Sequence, residues 1–114
     1  MFEKNLEIGY LLDFYGDILP ERRRDIMDFY YNDDLSLAEI AEQMGITRQA
    51  VRDSIKKTEQ ELFFYEEKLG LRRRLTEAEA RAEIALTLCR TAGDSLPPAL
   101  TEELEAIRRI VSLD

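Results

Sequence analysis

A chain of 114 residues that is 45% hydrophobic and 35% charged, with a net charge of −8, can build one compact domain or a small domain with an appendage. The absence of His, the single Cys89 and five scattered glycines leave no proton shuttle, thiolate metal cluster or phosphate loop, so no catalytic residue, metal, other cofactor or small-molecule substrate is expected. No apolar run is long enough for a bilayer, Met1-Phe2-Glu3-Lys4 lacks the regions of a signal peptide, and a lone cysteine suits a reducing compartment, so the expectation is a cytoplasmic protein that is not an enzyme.

Helical spacing runs through the chain and strand signals are missing, which predicts an all-α fold. A first helix from about Lys4 to Tyr15 puts Ile8, Leu11, Leu12 and Tyr15 on one side, with Gly16 as its stop. A second helix takes Pro20 in its first turn and runs to about Tyr31, and Asn32-Asp33-Asp34 reads as a turn. The aromatic residues Phe14, Tyr15, Phe29, Tyr30 and Tyr31 recur at helical spacing and are expected in the core. Ser36 with Glu39 three residues on is a capping box, opening a short helix that ends at Gly45.

Thr47 caps the next helix. There Val51, Ile55, Thr58, Leu62, Tyr65 and Leu69 recur in steps of four and three, predicting one continuous helix widened on its apolar side by Phe63 and Phe64. Its far half must then be covered by the chain or by a second copy. Gly70 ends or bends it, and Thr76 with Glu79 marks another capping box for an alanine-rich helix to about Thr91. That helix carries Ala78, Ala82, Ala85 and Cys89 on one side. Gly93 and Pro97-Pro98 form a loop, and Thr101 is the expected cap of a last helix with the stripe Leu104, Ile107 and Val111. The expected division is a head over residues 1–68 and a helical extension over 69–114, serving either for dimerisation or as a cover for the head.

The stretch from Leu37 to Lys56 fits a helix-turn-helix. Ala41 is small where the two helices touch, Gly45 supplies a left-handed turn residue, Ile40, Met44, Ile46 and Val51 face the core, and Thr47 restarts the chain. Ser54 stands where a larger aliphatic residue is usual, and Ile55 is placed to take over its packing. This geometry lays the second helix in the major groove of DNA, with Thr47, Arg48, Gln49, Arg52, Asp53, Lys56 and Lys57 facing outward. Arg48 and Arg52 have the fork that matches guanine, Gln49 can pair with adenine, and Lys56 and Lys57 suit phosphates. Asp53 either accepts from a cytosine amino group or pairs with Lys57. Arg22-Arg23-Arg24 either grips phosphate or forms a solvated face paired with Glu21, Asp25 and Asp28, and Arg72-Arg73-Arg74 is equally open.

Charge divides unevenly along the chain. Residues 1–46 carry four basic and eleven acidic residues, 47–74 carry eight and five, and 75–114 carry four and eight. The one positive stretch begins with the predicted reading helix, and phosphate attraction is local enough for that patch to outweigh the total.

The blocks Leu11-Leu12-Asp13-Phe14-Tyr15-Gly16, Phe29 to Ala41, Thr47-Arg48-Gln49-Ala50-Val51-Arg52-Asp53 and Tyr65-Glu66-Glu67-Lys68-Leu69 resemble, in order and spacing, the YlxM family. The likeness covers roughly residues 5 to 70. It implies a small bacterial helix-turn-helix protein whose head is similar to region 4 of sigma factors, regarded as a DNA-binding regulator of transcription. The genes of the family tend to lie beside those of the signal recognition particle, which implies by association a link to that pathway and its components. Thr47, Arg48, Gln49 and Asp53 match recognition-helix positions, whereas Arg52 stands where the family has an aromatic residue. Two functions follow as expectations: a homodimeric regulator that reads DNA, or an accessory protein- or RNA-interaction factor of the particle without sequence-specific DNA binding.

Overall fold

The computed structural model describes residues 4–112, and among them every regular element is helical. The α-helices are α1 (Leu6–Tyr15), α2 (Glu21–Tyr31), α3 (Leu37–Met44), α4 (Arg48–Leu69), α5 (Leu71–Ala92) and α6 (Pro98–Val111). Short 3-10 turns follow α1 at Gly16–Ile18 and α5 at Gly93–Ser95. The chain forms two compact units, Met1–Leu69 and Gly70–Asp114.

In the first unit α4 is the spine, packed by α1, α2 and α3. Four members of its predicted ladder, Val51, Ile55, Thr58 and Leu62, have no exposed surface. They meet Ile8, Leu11, Leu12 and Tyr15 of α1, Ile26, Met27 and Tyr30 of α2, and Ile40 and Ala41 of α3 in one core. Tyr65 is half-buried against that core, while Leu69 is exposed. Phe63 and Phe64, expected under cover, are exposed as well. The helix has turned them off the ladder side, because successive residues advance by roughly 100° and the steps of four and three bring only the ladder back to one line. Tyr15 and Tyr30 lie in the core, and Phe14, Phe29 and Tyr31 pack against it half-buried.

Polar pairs fasten the far half of α4 to the same core. The Tyr15 hydroxyl donates to Glu66 at 2.7 Å, the Tyr31 hydroxyl donates to Glu59, and Arg23 Nη1 donates to Glu61 at 2.7 Å. Burial of Tyr31, and then its bond to the Glu59 carboxylate, pushes the phenol's pKa far above its usual value, so it stays a donor.

Several helix ends differ from expectation. Asn5 caps α1 by accepting from the Glu7 amide at 2.8 Å, and Gly16 continues the right-handed path at φ −56° instead of stopping it in the left-handed region. Pro20 stands at the N-cap of α2, one position before its first turn. Thr76 is inside α5. The left-handed Gly70 already restarts the chain at Leu71, and no Gly or Pro interrupts the run to Ala92. Thr101 likewise lies inside α6, because Pro98 occupies the first turn, where its missing N–H costs nothing.

The second unit is the pair α5 and α6. Ala82 and Leu86 of α5 are buried, and Arg108 Nη1 donates to Glu83 at 2.9 Å. Cys89, expected in a helix core, is half-buried. No described residue is in a helix long and apolar enough to cross a membrane.

Leu62→Ala should destabilise the first unit by about 2–5 kcal/mol, since it opens a cavity in a closed core, and Leu69→Ala by less than about 1 kcal/mol. Chemical denaturation of the two variants beside the unsubstituted chain measures the contrast.

Candidate nucleic-acid interface

The interface begins with the local chemistry of two helix ends. The Ser36 hydroxyl accepts from the Glu39 amide at 3.1 Å while the Glu39 carboxylate accepts from the Ser36 amide at 3.0 Å, completing the capping box of α3. The α3 helix stops at Gly45, whose φ of +68° is a left-handed conformation, and the Ile46 amide turns back to the Ala41 carbonyl at 3.1 Å. Thr47 then restarts the chain. Its hydroxyl accepts from the Ala50 amide at 3.0 Å and its carbonyl accepts from the Val51 amide at 3.0 Å. Ile40 and Ala41 on one helix and Val51 and Ile55 on the other are buried between them, with Met44 and Ile46 half-buried beside them. Ile55 is fully buried and Ser54 only partly, so the small residue at 54 leaves the packing to its neighbour.

This arrangement decides which way the side chains of α4 point. Thr47, Arg48, Gln49, Asp53, Lys56 and Lys57 are exposed, and Arg52, a quarter-turn closer to the ladder, is half-buried. Asp53 has a different partner from the one expected: its carboxylate accepts from the Gln49 side-chain amide at 2.8 Å, one turn back, rather than from Lys57. That bond holds the Gln49 carboxamide on the outer face.

The triple arginine of α2 is used inside the head. Arg22 Nη2 donates to the Met44 carbonyl at 3.0 Å, satisfying one of the open carbonyls at the end of α3. Arg23 joins Glu61, with the buried Thr58 hydroxyl at 3.5 Å, and Arg24 joins Asp17 and, at 3.7 Å, Asp28. Of the three partners expected from sequence, only Asp28 is among these. Glu61, Thr58 and the Met44 carbonyl come from elements far along the chain, and no local spacing signals them. On the outer side of α3, Leu35, Glu39, Glu42 and Gln43 line an open groove of about 520 Å³. Two carboxylates there repel phosphate, whereas the exposed Arg48, Lys56 and Lys57 of α4 attract it.

Residues 2–92 match the profile of the UPF0122 family, described as "Putative helix-turn-helix protein, YlxM / p13 like". The chain belongs to this family. A UPF0122 protein of Halalkalibacterium halodurans is 47% identical over 114 residues, covering 100% of this chain and 97% of its own length. One from Desulforamulus reducens is 40% identical over 106 residues, 92% of this chain and 91% of its own. One from Listeria innocua is 47% identical over 79 residues, 69% of this chain and 72% of its own. The family match contains the whole turn and the whole of α4.

Two substitutions test the construction of the turn. Nothing lies within 4 Å of a Cβ placed on Gly45, so Gly45→Ala pays only for the left-handed backbone, an expected loss of about 1–2 kcal/mol in denaturant unfolding. The Glu39 carboxyl is held below its usual pKa range by the Ser36 amide and then the Ser36 hydroxyl. A folded-state pKa below the unfolded one contributes stability that is complete above the unfolded value, about 4.3, and is lost as pH falls through the folded value. Glu39→Gln should therefore lower stability near neutrality and flatten its fall on acidification, read as helix signal along an acid titration.

Proposed function

We propose that the protein is a regulator that binds duplex DNA by laying the start of α4 in the major groove. One observation supports this most: Thr47, Arg48 and Gln49 are exposed at the N-terminus of a helix whose opposite side is locked into the core. Arg48 offers a two-pronged donor for guanine, and Gln49, held by Asp53, offers an amide for adenine. Lys56 and Lys57 lie about two turns further on and suit phosphate, as does the guanidinium of the half-buried Arg52. At a rise of about 1.5 Å per residue, the first ten residues of α4 span roughly 15 Å, close to the width of the groove of about 12 Å. The remainder of the helix serves the core.

Single heads of this type gain affinity by pairing over two half-sites, so the proposal includes a homodimer reading half-sites about 34 Å apart. A second reading draws on the acidic residues that dominate positions 1–46: an accessory factor of the signal recognition particle that docks a basic protein or an RNA without reading DNA. The resemblance stated from sequence suggests that pathway, through gene neighbourhood alone.

Crosslinking in cells with sequencing of bound DNA and RNA separates the two. Discrete DNA sites lost on Arg48→Ala support the regulator, and recovery of particle RNA or protein unaffected by that substitution overturns it. In titrations with a recovered site, Arg48→Ala should weaken binding by about 5- to 100-fold with relaxed preference at one base pair. Lys57→Ala should weaken all sequences alike and lower the salt slope by about one.

A further inference from the structure

The α6 helix is strongly amphipathic, yet none of its residues is buried. Its exposed aliphatic residues are Leu100, Ile107 and Ile110, the last 80% exposed. On α5, Leu71 and Leu88 are exposed, and Ala78, Ala85 and Cys89 are half-buried. With residues about 100° apart around each helix, these positions fall to one side of the α5–α6 pair. Glu83 and Arg108, joined at 2.9 Å, fall to the other. The hairpin therefore has an apolar side and a polar side.

Among the described residues the two helices bury Ala82 and Leu86 fully and others such as Leu75, Leu104 and Val111 in part, too little to offset the entropy of ordering some forty residues, so the apolar side needs a cover. We infer that a second copy of this chain covers it: the apolar sides of two hairpins meet around a two-fold axis and close a four-helix bundle. Three features favour a second copy over an unrelated partner. Leu71, Leu88, Leu100, Ile107 and Ile110 together present about 500 Å² per copy, so two copies closing on them bury roughly 1,000 Å², the lower bound for a biological interface. Ala78 and Ala85 on α5 leave room for the larger Ile107 and Ile110 of a facing α6, a self-complementary pairing of small and large side chains. The exposed Arg74 and Arg81 edge the apolar side on α5, and the exposed Glu103 edges it on α6. A two-fold axis along the hairpins sets α5 of one copy against α6 of the other and brings these opposite charges to the same margin.

This inference deepens the homodimer of the proposed function and rests on it only for its consequence, the pairing of two heads. Sedimentation of the full chain at micromolar concentration should give twice the monomer mass of 13.3 kDa. Ile107→Glu and Ile110→Glu should each halve that mass, with the circular-dichroism helix signal falling by no more than the share that α5 and α6 supply while the first unit stays folded. Ile18→Glu, exposed in the first unit, should leave the doubled mass intact. A monomeric unsubstituted chain, or a doubled mass that survives both hairpin substitutions, would overturn the pairing. Binding to a duplex with a single half-site is measured separately: a dimer that binds no DNA keeps the pairing and removes the DNA reading.

Discussion

Val51, Ile55, Thr58 and Leu62 form a single ridge with no exposed surface, and that ridge sets the rotation of α4 about its own axis. Once the ridge is buried against α1, α2 and α3, every other position on the helix is assigned. Gln49, Asp53 and Lys56 face outward because they lie opposite the ridge, and Arg52 is half-buried because it does not. The same helix thus acts as core spine and as candidate reading surface. A slip of one residue in its packing would carry Lys56 or Lys57 into the core, which the cost of burying an unpaired charge forbids.

The charges of the first unit follow from the same constraint. Beyond Lys57 the helix carries Glu59, Glu61, Glu66 and Glu67, which would weaken the attraction of the positive stretch for phosphate if all four faced water freely. Three are instead engaged from α1 or α2, Glu59 by Tyr31, Glu61 by Arg23 and Glu66 by Tyr15, and the exposed Glu67 lies nearly three turns beyond Lys57, roughly 15 Å along the helix. Arg22 and Arg24 are engaged too, one on the end of α3 and one on Asp17 and Asp28. What reaches solvent at the start of α4 is Arg48, Lys56 and Lys57, beside a carboxylate held by Gln49. Net charge summed over the chain is therefore a poor guide to the field that a phosphate would meet there.

In the second unit the constraint runs the other way. The α5 and α6 pair has enough helix-forming sequence to persist as helices but too little enclosed surface to be a core of its own. A hairpin in that state has an apolar side that its own two helices do not enclose.

The sequence by itself determined the helices, the turn and the side of α4 that is buried, because these rest on local chemistry. A capping box joins residues three apart, a left-handed glycine acts at one position, and a ladder in steps of four and three marks one face wherever the helix lies. The outward placement of Thr47, Arg48 and Gln49 was legible for the same reason. Helix starts at Thr76 and Thr101 were misread where a cap signature sits inside a helix that Gly70 or Pro98 had already begun. Only the tertiary structure decided the partners of Arg22, Arg23, Asp53, Tyr15 and Tyr31, the burial of Thr58 and the exposure of Phe63 and Phe64. Most of these depend on which residues from distant segments arrive beside one another. Even the short bond from Gln49 to Asp53 competed with an equally spaced pairing to Lys57, and only the arrangement of the folded surface selects between two partners at the same distance along a helix.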